Sequence, residues 1–190
     1  MERIFIVHRW SSSPKEDWYP WLKSELESKG LEVHVLAMPN TDTPTIEGWI
    51  PFLEKEIGKI DEETYFVGHS IGCQTILRYL ESLPEGTRVG GAVFVAPWIA
   101  LTGLETEEEK SIAQPWIETK IDLENVKTKL KKAIAIFSDN DPYVPMINMR
   151  LFREKLGAEI LLEGHKGHFT SQDNVAQLPA ALESLQSMMQ

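Results

Sequence analysis

Residues 64–77 read TYFVGHSIGCQTIL: an apolar run meets Gly68-His69-Ser70-Ile71-Gly72 and gives way to a helical pattern carried by Ile76, Leu77, Leu80 and Leu83. A strand entering Gly-x-Ser-x-Gly with a helix leaving it is compatible with few folds. The turn must be sharp enough to lift the serine hydroxyl clear of the sheet edge. Strand and helix then pass too close for a Cβ at either glycine. Background frequencies produce the bare pattern in roughly one chain of this length in twenty, so its five residues alone discriminate weakly. The strand before it and the helix after it give it weight. A serine hydroxyl is a poor nucleophile at neutral pH, so Ser70 poses a question: does the chain supply a base, an orienting acid and an oxyanion hole?

Apolar runs and helical periods alternate along the whole chain. Strands are expected at Arg3–Val7, Leu31–Ala37, Tyr65–Val67, Val89–Ala96, Ala133–Phe137 and Ala158–Leu162. Between them fall helical patterns. The first has Asp17 as its expected N-cap, Pro20 in its first turn and Gly30 at its end; the second starts at Thr45 and carries an internal Pro51. A third follows Ser70 and stops before Pro84, a fourth runs from Met146 to Leu156, and the last from Asn174 to Met189. Residues 97–131 show no long clean period and read as an irregular insert forming a short or minimal lid. Six alternations of strand and helix demand an α/β architecture: about six mostly parallel strands, helices on both faces, right-handed crossovers. At 190 residues the chain is expected to form one domain over 1–190.

The net charge of −10 excludes nucleic acid and anionic membrane as expected partners. No apolar run reaches the ~18 residues that span a bilayer. MERIFIVHRW carries too short an apolar run for a signal peptide. The single cysteine, Cys73, rules out an internal disulfide and suits a reducing cytoplasm. No Cys/His spacing resembles a metal site, so neither metal nor cofactor is expected.

In parallel α/β sheets, ligands bind beyond the carboxyl ends of the strands. Four loops follow such ends and carry reactive residues: the His8 loop, Ser70, the turn with Asp139 and Asp141, and the loop with His165 and His168. The order nucleophile, acid, base is the one this architecture requires. From position alone, either aspartate is a candidate acid and either histidine a candidate base.

The combination resembles the α/β-hydrolases, and within them small serine hydrolases of the retinoblastoma-binding-protein and YdeN type. The resemblance is carried by Gly68-His69-Ser70, Asp141-Pro142-Tyr143-Val144-Pro145 and Gly167-His168-Phe169. Trp18-Tyr19-Pro20-Trp21, Met38-Pro39-Asn40, Trp49-Ile50-Pro51-Phe52 and Pro115-Trp116 support it over nearly the full chain. It implies Asp141 rather than Asp139 as acid, and His168 rather than His165 as base. It implies hydrolysis of small carboxylic esters, thioesters or amides through an acyl-enzyme on Ser70. The oxyanion is expected to meet the Ile71 N–H and a donor from the loop after the first strand. Where the wider fold often has His-Gly-x there, this chain has His8-Arg9-Trp10, so the second donor falls to Trp10 or Arg9. Two further readings stay open: a protein-binding module that has lost turnover, and acyl transfer by the same triad.

Arg9, Trp98 and Trp116 are candidate substrate-binding residues, the arginine at the site mouth and the tryptophans from the lid. His8 and His69 are expected to be structural, Cys73 a small buried residue, and Glu105–Glu109 a solvated face.

Overall fold

The structure, a computed structural model, describes residues 2–189. Six strands form one sheet: β1 (Arg3–Val7), β2 (Glu32–Leu36), β3 (Thr64–His69), β4 (Gly91–Val95), β5 (Ala133–Ser138) and β6 (Glu159–Glu163). Their order is β2-β1-β3-β4-β5-β6, and every neighbouring pair is parallel. The central strands β3, β4 and β5 are buried at every residue. This is why they read as continuous apolar runs. β2 and β6, at the edges, keep exposed positions.

The helices are α1 (Tyr19–Glu27), α2 (Ile46–Ile57), α3 (Ile71–Ser82), α4 (Glu107–Glu118), α5 (Leu123–Lys129), α6 (Ile147–Leu151, continued by a π-helical turn over Phe152–Leu156) and α7 (Pro179–Met188). α1 and α7 pack together on one face; α3 lies on the other, between α2 and α5. β1 has β2 on one side and β3 on the other, so successive crossovers leave in opposite directions there. The loops after β1 and β3 therefore open a crevice at the carboxyl edge.

Three expectations need correction. The insert carries two capped helices, α4 and α5, after a non-helical stretch over 97–106. Thr106 caps α4 in a reciprocal capping box with Glu109, and Asp122 caps α5. Glu107–Glu109 are the first turn of α4, where the helix dipole favours negative charge. The period was illegible because α4 buries only Ala113 and Trp116 and carries Pro115 in its interior. The last helix starts at Pro179 rather than Asn174, since Asn174 takes a left-handed conformation after a 3₁₀ turn over Ser171–Asp173. Asp17 does not cap α1: Trp18 holds that position, and Asp17 has φ 52° with its carboxylate turned elsewhere.

Arg78, on α3, fastens the insert to that helix. Its guanidinium donates to Trp116 O at 2.8 Å, Thr119 O at 2.7 Å and Gln74 Oε1 at 3.1 Å. A cation on the last carbonyls of α4 satisfies groups the helix leaves unpaired.

Candidate active site

Ser70 stands between β3 and α3 with φ 54° and ψ −117°, a backbone conformation that a residue with a Cβ adopts only under strain. Packing enforces it. A Cβ on Gly72 would lie 2.2 Å from Val7 O, and one on Gly68 would lie 2.8 Å from the Cys73 backbone. The first turn of α3 thus rides directly on the end of β1. Ile71 is the first residue of α3, and its N–H has no intrahelical acceptor.

The loop after β1 is held by bonds from its side chains and from the Arg9 peptide. His8 Nδ1 donates to Arg9 O at 2.8 Å, and its Nε2 accepts the Met38 N–H at 3.2 Å. The Arg9 N–H donates to the Tyr19 hydroxyl at 3.2 Å, and Trp10 Nε1 donates to Asp42 O at 2.9 Å. The Arg9 N–H is therefore engaged. Among the described residues nothing accepts from the Trp10 N–H, which leaves that group free to meet an oxyanion.

Asp141 and His168 meet. His168 Nδ1 lies 2.8 Å from Asp141 Oδ2, with both side chains largely buried. Asp141 Oδ1 accepts the N–H groups of Tyr143 and Val144 at 2.9 and 3.1 Å. Asp139 is engaged differently, accepting the His165 N–H at 2.7 Å, while the His165 ring is exposed to solvent. Tyr143 stands edge-on to the His168 ring at 5.1 Å between centroids. Among the described residues no hydrogen bond joins Ser70 Oγ to His168; such contacts tighten when substrate binds.

A cavity of about 620 Å³ has Trp10, Ser70, Ile71 and His168 in its wall. Trp98, Leu101, Leu104 and Ile112 from the insert, with Tyr143, form its apolar side. Asp42, Glu108, Glu109 and Asp173 reach it too. Of the candidate substrate residues, Trp98 and Arg9 line this cavity. The Arg9 guanidinium, however, is bound to Asp17 Oδ2 at 2.8 Å. Trp116 does not line it: it is buried against Trp49, with Nε1 donating to Pro44 O at 3.0 Å. Periodicity cannot tell which side of a helix faces a cavity and which faces the core. Leu101, Leu104 and Ile112 lie in the segment without a legible period, and Tyr143 alone belongs to a motif, two residues after Asp141.

Beneath the elbow, His69 is fully buried. Its Nε2 donates to His168 O at 2.8 Å, and its Nδ1 accepts from the Tyr19 hydroxyl at 2.7 Å. Beside it, Asp17 accepts from Arg9 and from the Ser171 N–H at 2.8 Å. Burial opposes the Asp17 charge, but these donors outweigh it and hold the carboxyl below its ordinary range. Burial also raises the Cys73 thiol well above its usual pKa, so it is an inert core group. Among the described residues no group of three or more His, Cys, Asp or Glu could hold a metal ion, and no helix is long and apolar enough to cross a membrane.

Burial, reinforced by the nearby His168, pushes the His69 pKa down to about 3 from an ordinary 6.5, with Asp17 and the bond to His168 O opposing. The unfolded chain takes up this proton near pH 6.5; the folded chain resists until near pH 3. The stability is thus complete above pH 6.5 and is lost as the pH falls toward 3. His8, also lowered by burial, acts with the same sign. Between pH 7 and pH 5, His69 should account for about 2 kcal/mol of lost stability. Urea unfolding at the two pH values checks this: His69→Gln should lose about that much less than wild type. Equal losses would mean that His69 titrates normally in the folded protein.

Known proteins resemble this chain in sequence and in fold. YdeN of Bacillus subtilis (strain 168) is 29% identical over 187 residues, 98% of this chain and 95% of its own. The crystal structure of the B. subtilis ydeN gene product superposes with a TM-score of 0.90 at 27% identity, covering 100% of this chain and 99% of that one. Serine hydrolase RBBP9 of Rattus norvegicus is 28% identical over 154 residues, 80% of this chain and 77% of its own. Est1E of Butyrivibrio proteoclasticus shares the fold at a TM-score of 0.73 and 13% identity, over 100% of this chain and 90% of that one. The fold is that of the α/β-hydrolases, and since the serine hydrolase family model matches residues 4–187, the chain belongs to the serine hydrolase family.

Proposed function

We propose that this enzyme cleaves small, uncharged carboxylic esters through an acyl-enzyme on Ser70. The observation that carries the reading is the 2.8 Å contact of His168 Nδ1 with Asp141 Oδ2, in a cavity that also holds Ser70. Asp141 keeps the proton on Nδ1, leaving Nε2 to take the Ser70 proton as Oγ attacks the carbonyl. The tetrahedral oxyanion is received by the N–H groups of Ile71 and Trp10, each such donor worth roughly 3–4 kcal/mol. The imidazolium then protonates the leaving alkoxide. Water, deprotonated by His168, releases the acid and restores Ser70. Thioesters and amides are open to the same steps. A reducing cytoplasm is the compartment proposed for it, because a single cysteine, Cys73, cannot close a disulfide within the chain.

Charge narrows the substrate class. Among the described residues Arg9 is the one Lys or Arg in the cavity wall, and it is neutralised by Asp17, while Asp42, Glu108, Glu109 and Asp173 remain. A substrate carboxylate would be repelled. 4-Nitrophenyl butyrate should exceed the 4-nitrophenyl monoester of succinic acid by about tenfold in kcat/KM at low salt, a difference of about 1.4 kcal/mol. The gap should narrow at 1 M salt, where screening acts over about 3 Å. Equal rates would remove the charge reading. Absence of any Ser70-dependent turnover would favour the protein-binding alternative.

A further inference from the structure

His69 sits beside the nucleophile, yet both its ring nitrogens are engaged in the interior, so it cannot act as a base. Its bonds have forced directions. His168 O can only accept, so Nε2 carries the proton; Nδ1 must then accept, so the Tyr19 hydroxyl donates to it. The Tyr19 oxygen in turn accepts the Arg9 N–H. Burial keeps the phenol protonated, pushing its pKa well above the usual value. The result is one continuous chain, Arg9 N–H to Tyr19 to His69 to His168 O. One end is the peptide next to the Trp10 N–H, and the other is the carbonyl of the proposed base.

We propose that Tyr19 and His69 form a positioning device that sets the distance between the oxyanion loop and the His168 loop across the Ser70 elbow. The proposal rests on the triad reading above. Its physical need is clear: donor and base belong to loops about 160 residues apart in sequence, and displacement by about 1 Å costs up to 10²-fold in rate. A second bridge, Arg9–Asp17–Ser171, ties the same loops further out. It joins a side chain to a residue beyond the base, so it holds the loops together without setting the reacting atoms. Loss of the Tyr19 hydroxyl should therefore leave the fold intact and disturb only the geometry.

The test is Tyr19→Phe, His69→Phe and His69→Gln, assayed on 4-nitrophenyl butyrate with circular dichroism and Tm alongside. Tyr19→Phe should lower kcat about tenfold with KM within about twofold. His69→Gln, whose amide can still donate to His168 O, should recover several-fold over His69→Phe. Long-range ¹H–¹⁵N spectra should show wild-type His69 as the Nε2–H tautomer. An unchanged kcat in Tyr19→Phe, equal losses in the two His69 variants, or an Nδ1–H tautomer would each overturn the device. Wild-type turnover that survives Ser70→Ala would instead remove the triad reading, and the device with it.

Discussion

Ser70→Ala should lower kcat by about 10⁴- to 10⁶-fold and abolish labelling by a fluorophosphonate probe, with the fold unchanged. The size of the effect comes from the chemistry removed. Without Oγ no acyl-enzyme forms, and only oriented binding and the oxyanion donors remain to assist direct attack by water. The fold is spared because Oγ makes no hydrogen bond among the described residues, and alanine meets the same backbone strain as serine at φ 54°. Mass spectrometry of the labelled protein checks the assignment directly. Equal labelling of wild type and Ser70→Ala would place the nucleophile elsewhere.

Asp141→Asn should lower kcat by about 10⁴-fold with little change in KM. Asn keeps an oxygen for the Tyr143 and Val144 N–H groups, so the turn survives. Its Nδ2, however, stands where Oδ2 receives the His168 Nδ1 proton. To avoid opposing two donors, the imidazole adopts the other tautomer and presents Nε2–H to the serine, leaving no base. Asp139→Asn is the control. That carboxylate holds the His165 backbone and does not touch His168, so turnover should stay close to wild type. A large loss at Asp139 with little at Asp141 would reverse the assignment of the acid.

Local chemistry made much of this protein legible from its residues. Buried parallel strands announce themselves as continuous apolar runs, and a strand–Gly-x-Ser-x-Gly–helix step leaves the chain one sharp turn to make. Strand alternation then placed the acid and base candidates on the same sheet edge as Ser70. Side-chain direction was not legible. Asp139 and Asp141 occupy one turn, and only the folded loop shows which of them reaches the His168 ring. Trp98 and Trp116 come from one insert, yet one lines the cavity and the other is buried against Trp49. Asp17 had the look of a helix cap and became the partner of Arg9, which changed the charge of the site. The same limit hid Tyr19 and His69. Their partners lie 50 and 99 residues apart in the chain, and no period or local motif encodes a contact across that distance. The sheet, the strained serine and the order of the triad candidates can be read from the residues, because they follow from local patterns of polarity and backbone freedom. Which acid meets which base, what lines the cavity and what holds its two sides in register emerge with the folded chain, because they depend on where side chains point once distant segments pack.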